Sequence, residues 1–134
     1  MIIERIDPPN LFDSSPYGFS QVVVATGGRT VYCAGQVAWD ANKAIGVPGN
    51  LDEQARRALK NLERALAAAG GTLQDVVSVR VYIVGEHIRN AAVIRAALVE
   101  TFAAARPAMT WIGVNALANP DFLIEIEAVA VIPK

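Results

Sequence analysis

The sequence predicts one α+β domain, in the order βββαβαββ, with two helices on one face of a mixed sheet. Three observations predict it. Ala55, Ala58, Leu59, Leu62, Ala65, Leu66 and Ala69 recur at the helical period. Ile124, Ile126, Ala128, Ala130 and Ile132 alternate with Leu123, Glu125, Glu127, Val129 and Val131, which is the period of a strand. The 134 residues carry no repeat, low-complexity tract or linker, so residues 1–134 read as a single domain.

The elements follow in order. A short first strand precedes Asp7 to Pro16 (DPPNLFDSSP), whose Pro, Asp and Ser content marks a loop. Gln21 to Thr26 and Thr30 to Val37 read as the two strands of a hairpin, with Gly27-Gly28 supplying positive φ at the turn. After a loop at Gly46 to Gly49, Asn50 with Glu53 three residues on resembles a capping box. The helix it starts is amphipathic, with Arg56, Arg57, Lys60, Glu63 and Arg64 opposite the apolar stripe, and Gly70-Gly71 ends it. Asp75 to Val84 alternates as a strand, with Val77, Val79, Val81 and Ile83 on one face. A second helix runs from about Ile88 to Ala104 and is apolar around most of its circumference. Strands at Ala108 to Leu117 and Phe122 to Ile132 flank Asn119-Pro120 and close the chain.

The second face of the last strand mixes Leu123, Val129 and Val131 with Glu125 and Glu127. A solvated face rarely carries so many aliphatics, and a core face rarely carries two carboxylates. Burial against another subunit beside a polar cleft satisfies both. Composition agrees: 53% hydrophobic and 19% charged residues are slightly apolar for a small monomer. A net charge of −1 disfavours nucleic acid and anionic lipid as partners. One cysteine, Cys33, and one histidine, His87, exclude an intramolecular disulfide and leave no zinc set within one chain. No apolar run approaches eighteen residues and no signal peptide is visible, so no membrane span and a cytoplasmic location are expected.

Four segments together carry a resemblance. They are SPYGFSQ (Ser15 to Gln21), CAGQVAWD (Cys33 to Asp40), QARRALKNLERALAAAGGTLQDVV (Gln54 to Val77) and RPAMTWIGVNAL with FLIEIEAVAV near the end. Over nearly the whole chain the sequence resembles the Rid/YjgF family, formerly described as L-PSP endoribonucleases. The resemblance implies a chorismate-mutase-like fold and a homotrimer whose three sheets form a central barrel. It implies small-metabolite clefts between subunits, and hydrolysis of enamines or imines to keto acids and ammonia without a cofactor.

Residue by residue, the family's water-handling Glu falls on Glu125 and its cleft Tyr on Tyr17. The substrate-clamping Arg falls on Met109, two residues after Pro107, and the Cys two places on falls on Trp111. The Ser of the usual SGQ is Ala34, before Gly35, and the cleft Asn of the second helix falls on Arg95. The chain thus resembles branches that lack the clamping Arg. Two functions stay open on these residues: hydrolysis of a C=N bond or similar electrophile by Glu125, in a cleft more apolar than an imino-acid site, and a regulatory trimer that binds a metabolite without chemistry. A ribonuclease is disfavoured, because the chain has no basic track and no His pair for acid/base cleavage. Beside these roles stand plainer ones. Glu125 and Glu127 can be backbone- or Arg-bonded carboxylates, Tyr17 a cleft cap, Met109 and Trp111 packing residues, Arg95 a solvated helix residue, and Cys33 a packed strand residue.

Overall fold

A computed structural model describes the backbone of residues 1–134 and every side chain except that of Ala91. The elements are β1 (Ile2–Ile6), β2 (Val22–Thr26), β3 (Arg29–Gln36), α1 (Leu51–Ala68), β4 (Val76–Val84), α2 (Ala91–Phe102), β5 (Ala108–Val114) and β6 (Ile124–Ile132). This is the expected α+β order. Single turns of 3₁₀ helix lie at Ser15–Tyr17 and Leu73–Asp75, and a longer one at Gly85–Asn90 delays the start of α2 beyond the expected Ile88.

The helix α1 forms where its caps and stripe predict. The Asn50 side chain accepts a hydrogen bond from the Glu53 backbone N–H at 3.0 Å, satisfying one of the free donors of the first turn. The reciprocal half of the box is not made; Glu53 instead pairs with Arg57 at 3.2 Å. Leu59, Leu62 and Leu66 of α1 and Ile94, Leu98 and Phe102 of α2 are buried against Val79, Val81, Ile83, Ile124 and Ile126 of the sheet. Both helices therefore cover one sheet face.

Four strands form the main sheet in the order β3-β6-β4-β5. β4 and β5 run parallel, while β6 is antiparallel to both β3 and β4, so the sheet is mixed. In β4 the expected alternation fails at its start. A register shift between Val76 and Ser78 puts Val76 in the core and leaves Val77 only half-buried, so Val77 does not share the face of Val79.

The hairpin expected across Gly27-Gly28 does not close. Both glycines have positive φ (77° and 76°), as the turn reading requires, but β2 pairs with β1 from Ile2↔Thr26 to Ile6↔Val22. The reason lies at the other end of β2. Ser20 bridges Ala108 in parallel, its N–H donates to the Pro107 carbonyl at 3.0 Å, and its hydroxyl donates to the Arg106 carbonyl at 2.6 Å. These bonds hold the start of β2 at the β5 edge, away from β3. At its far end a Cβ on Gly28 would lie 2.7 Å from the Ile132 carbonyl oxygen, so only glycine fits this approach.

Candidate functional site

Strand register sorts the candidate residues onto two faces. Met109 pairs with Val79 and Trp111 with Val81, and Val79 and Val81 pair in turn with Ala128 and Ile126. Laterally paired residues project to the same side of a sheet. Met109 and Trp111 therefore lie on the helix side, at the β5 edge, where both pack partly against the core. Glu125 pairs with Tyr82 and Glu127 with Arg80, on the opposite side.

On the helix side, the loop before β2 supplies the second wall of a cavity of about 360 Å³, lined by Phe12, Tyr17, Phe19, Met109 and Trp111. The three loop rings form a triangle with centroids 6.1–6.3 Å apart. The Trp111 indole N–H points at the Met109 sulfur at 2.9 Å. Arg95, from α2, lays its guanidinium over the Tyr17 ring at 4.5 Å and donates to the Pro16 carbonyl at 2.9 Å. Tyr17, Arg95, Met109 and Trp111 are thus brought together. Phe12 and Phe19 were missed by sequence reasoning. Their signal was three aromatics within eight residues of a loop otherwise rich in Pro, Asp and Ser.

Local chemistry fixes this loop. Gly18 has φ of +78°, and a Cβ there would sit 3.0 Å from the Cα of Val99, so a glycine lets the loop seat on α2. The Asp7 carboxylate accepts from the Gln21 backbone N–H at 2.9 Å and from the Arg106 guanidinium at 2.7 Å. Those two contacts, the backbone one foremost, hold the Asp7 pKa below the usual carboxylate value. Arg106 also donates to the Phe19 carbonyl at 3.1 Å, and the Ser14 hydroxyl to the same oxygen at 2.7 Å.

On the other side, β3 is irregular between Cys33 and Gln36, which puts Ala34 and Gly35 outside the regular ladder. Glu125 lies over this irregularity. A Cβ on Gly35 would be 2.6 Å from the Glu125 carboxyl carbon, so glycine makes the room for the acid. Ala34, Gly35 and Glu125 form a second group, separate from the first. Among the described residues the Glu125 carboxylate has no hydrogen bond or ion pair. Glu127 is engaged: the Tyr82 hydroxyl donates to it, and Arg80 lies 3.7 Å away. The bond to Glu127 leads the causes that raise the Tyr82 pKa. Cys33 is partly buried against the core, and burial pushes its thiol pKa up, away from a nucleophilic state. The mixed face is narrower than expected, because Leu123 and Val131 are covered within the chain, whereas Tyr32 stands 80% exposed.

Comparison with known proteins assigns this architecture. The family model described as Endoribonuclease L-PSP matches residues 13–132. The chain belongs to the Rid/YjgF family. Among Rid structures, that of YyfB from Yersinia pestis, a Rid family protein of unknown function, shares 42% identity. It superposes with a TM-score of 0.92 over 98% of this chain and 100% of its own. Rv2704 from Mycobacterium tuberculosis shares 30% identity, with a TM-score of 0.68 over 98% and 100% of the two chains. A rat 2-iminobutanoate/2-iminopropanoate deaminase is 35% identical over 130 residues, covering 97% of this chain and 91% of the relative. No helix of this Rid chain is long and apolar enough to cross a membrane.

Proposed function

We propose that this Rid chain forms a homotrimer whose intersubunit clefts bind a small electrophilic metabolite, and that Glu125 directs water onto a C=N bond there. The observation that carries this is the separation of the two groups. One chain holds an apolar wall on one sheet face and an unengaged carboxylate on the other, so neither alone encloses a ligand. A cleft between copies sets the Glu125 face of one subunit against the Tyr17–Trp111 wall of the next.

The chemistry balances without a cofactor. Glu125 takes a proton from water as the oxygen adds to the imine carbon and returns it to the nitrogen. The carbinolamine hydroxyl supplies the nitrogen's second proton as the C–N bond breaks, leaving a carbonyl product and ammonia. The missing side chain at Gly35 lets Glu125 lie against the β3 backbone. Met109 offers a substrate carboxylate neither charge nor donor, so short 2-imino acids of the kind named for the rat relative are poor substrates. The same residue favours a second reading, a trimer that binds its metabolite without turnover.

Light scattering should give about three times the 14.3 kDa chain mass, and a clean monomer would sink the shared cleft. Imines made in place by a pyridoxal-phosphate dehydratase test the chemistry, with ammonia release followed. The short 2-imino acid should turn over at least ~10²-fold more slowly than with an Arg-bearing relative. With a substrate that is accepted, Glu125→Gln should abolish release and Glu127→Gln should not. Ligand-induced stabilisation without any release would establish the binding reading instead.

A further inference from the structure

We propose that the cavity between the aromatic loop and β5 takes a flat aromatic acid, its ring against Trp111 and Met109 and its carboxylate on Arg95. This rests on the ligand cleft above and names the class of molecule that the cleft selects. Three features point to it. First, every lining residue is aromatic or sulfur-bearing: Phe12, Tyr17, Phe19, Met109 and Trp111 line an open groove of about 360 Å³, near the lower end of the ~300–1,000 Å³ usual for small-molecule sites. Rings at edge-to-face geometry offer a planar guest both faces and edges, and a thioether packs well at a ring edge. Second, the wall is not used up by the fold. Phe12 is 62% exposed and Tyr17 39%, although Asp7, Ser14 and Arg106 fix the loop that carries them. A pinned loop that holds aromatic rings in the open is built to meet something apolar.

Third, a cation without a counter-ion stacks on one of the lining rings: Arg95 lies over Tyr17. Arg95 makes no ion pair among the described residues, and no carboxylate lines the cavity. Its guanidinium is held by the Pro16 carbonyl and the Tyr17 face, which orients it while leaving further N–H donors for an anion. The acid group of the guest is therefore recognised from α2, not from position 109 on β5. A short aliphatic acid would reach Arg95 but leave the apolar wall unfilled.

Isothermal titration calorimetry on the purified protein tests this, with indole-3-acetate, its uncharged amide and 2-oxobutanoate as probes. Indole-3-acetate should bind at least tenfold more tightly than the amide and more tightly than 2-oxobutanoate. Arg95→Gln should remove the preference for the acid over the amide, whereas Arg95→Lys should retain part of it. Equal binding of acid and amide would overturn the role of Arg95. Binding of 2-oxobutanoate in preference to the aromatic acid would overturn the aromatic assignment while leaving a ligand cleft. If no probe binds, the aromatic-acid assignment falls, while the shared cleft is judged separately by the oligomeric state and by ammonia release.

Discussion

Two carboxylates two residues apart on β6 share a face and yet differ in availability. Glu127 is tied to the Tyr82 hydroxyl and lies near Arg80, while Glu125 rests over Gly35 with no such partner among the described residues. The Tyr82 bond has a pH signature. Because Glu127 raises the Tyr82 pKa, the bond contributes below the ordinary tyrosine value and is lost as pH rises through the raised one. Glu127→Leu should move the most alkaline step of the tyrosinate absorbance titration to lower pH, and an unchanged curve would show that the bond is absent in solution. Sequence alternation placed both acids on one face but could not rank them. The ranking depends on Tyr82, whose side chain meets Glu127 only because β4 pairs with β6 in this register.

At the scale of elements, the loop between β1 and β2 is the least regular part of the chain and carries most of the cavity wall. Asp7 holds it from one side and Arg106 from the other, across 99 residues of sequence. The Asp7 pKa is lowered from 3.8, so its contribution is present above that value and lost as pH falls through the lowered one. Acid should therefore release the aromatic loop before the helices melt. Trp111 fluorescence should change ahead of far-ultraviolet circular dichroism as pH falls below about 4, and Asp7→Asn should show the released signal already at neutral pH. Coincident transitions in both variants would show that the pair does not hold the loop. Helices and main strands were legible because caps and periodicity are local signals, as Asn50 and the Leu59–Leu62–Leu66 stripe show. The failed hairpin was not. Two adjacent glycines announce a turn, but which strands pair beyond it is decided by Ser20 and Arg106, far apart in sequence.

For the whole molecule, the four-stranded sheet is both floor and partition. The helices bury one face, and the β5 edge of that face is left to the aromatic cavity; the other face presents Tyr32, Arg80 and the acid pair. The sequence reading gathered Tyr17, Ala34, Gly35, Arg95, Met109, Trp111 and Glu125 in a cleft between subunits, and within one chain they fall into two groups. That division follows from odd and even positions on paired strands, which no single strand reveals.

The partition has a consequence for genetics. If the proposed assembly joins opposite faces of neighbouring chains, a damaging change on one face harms only one of the two clefts a subunit touches. Chains bearing Tyr17→Ala and chains bearing Glu125→Gln should each be inactive alone. Co-expressed in equal amounts, they should regain activity, because about a quarter of the clefts would draw both intact faces from different chains. Two alleles carrying these changes would thus complement each other, whereas two changes on the same face never would.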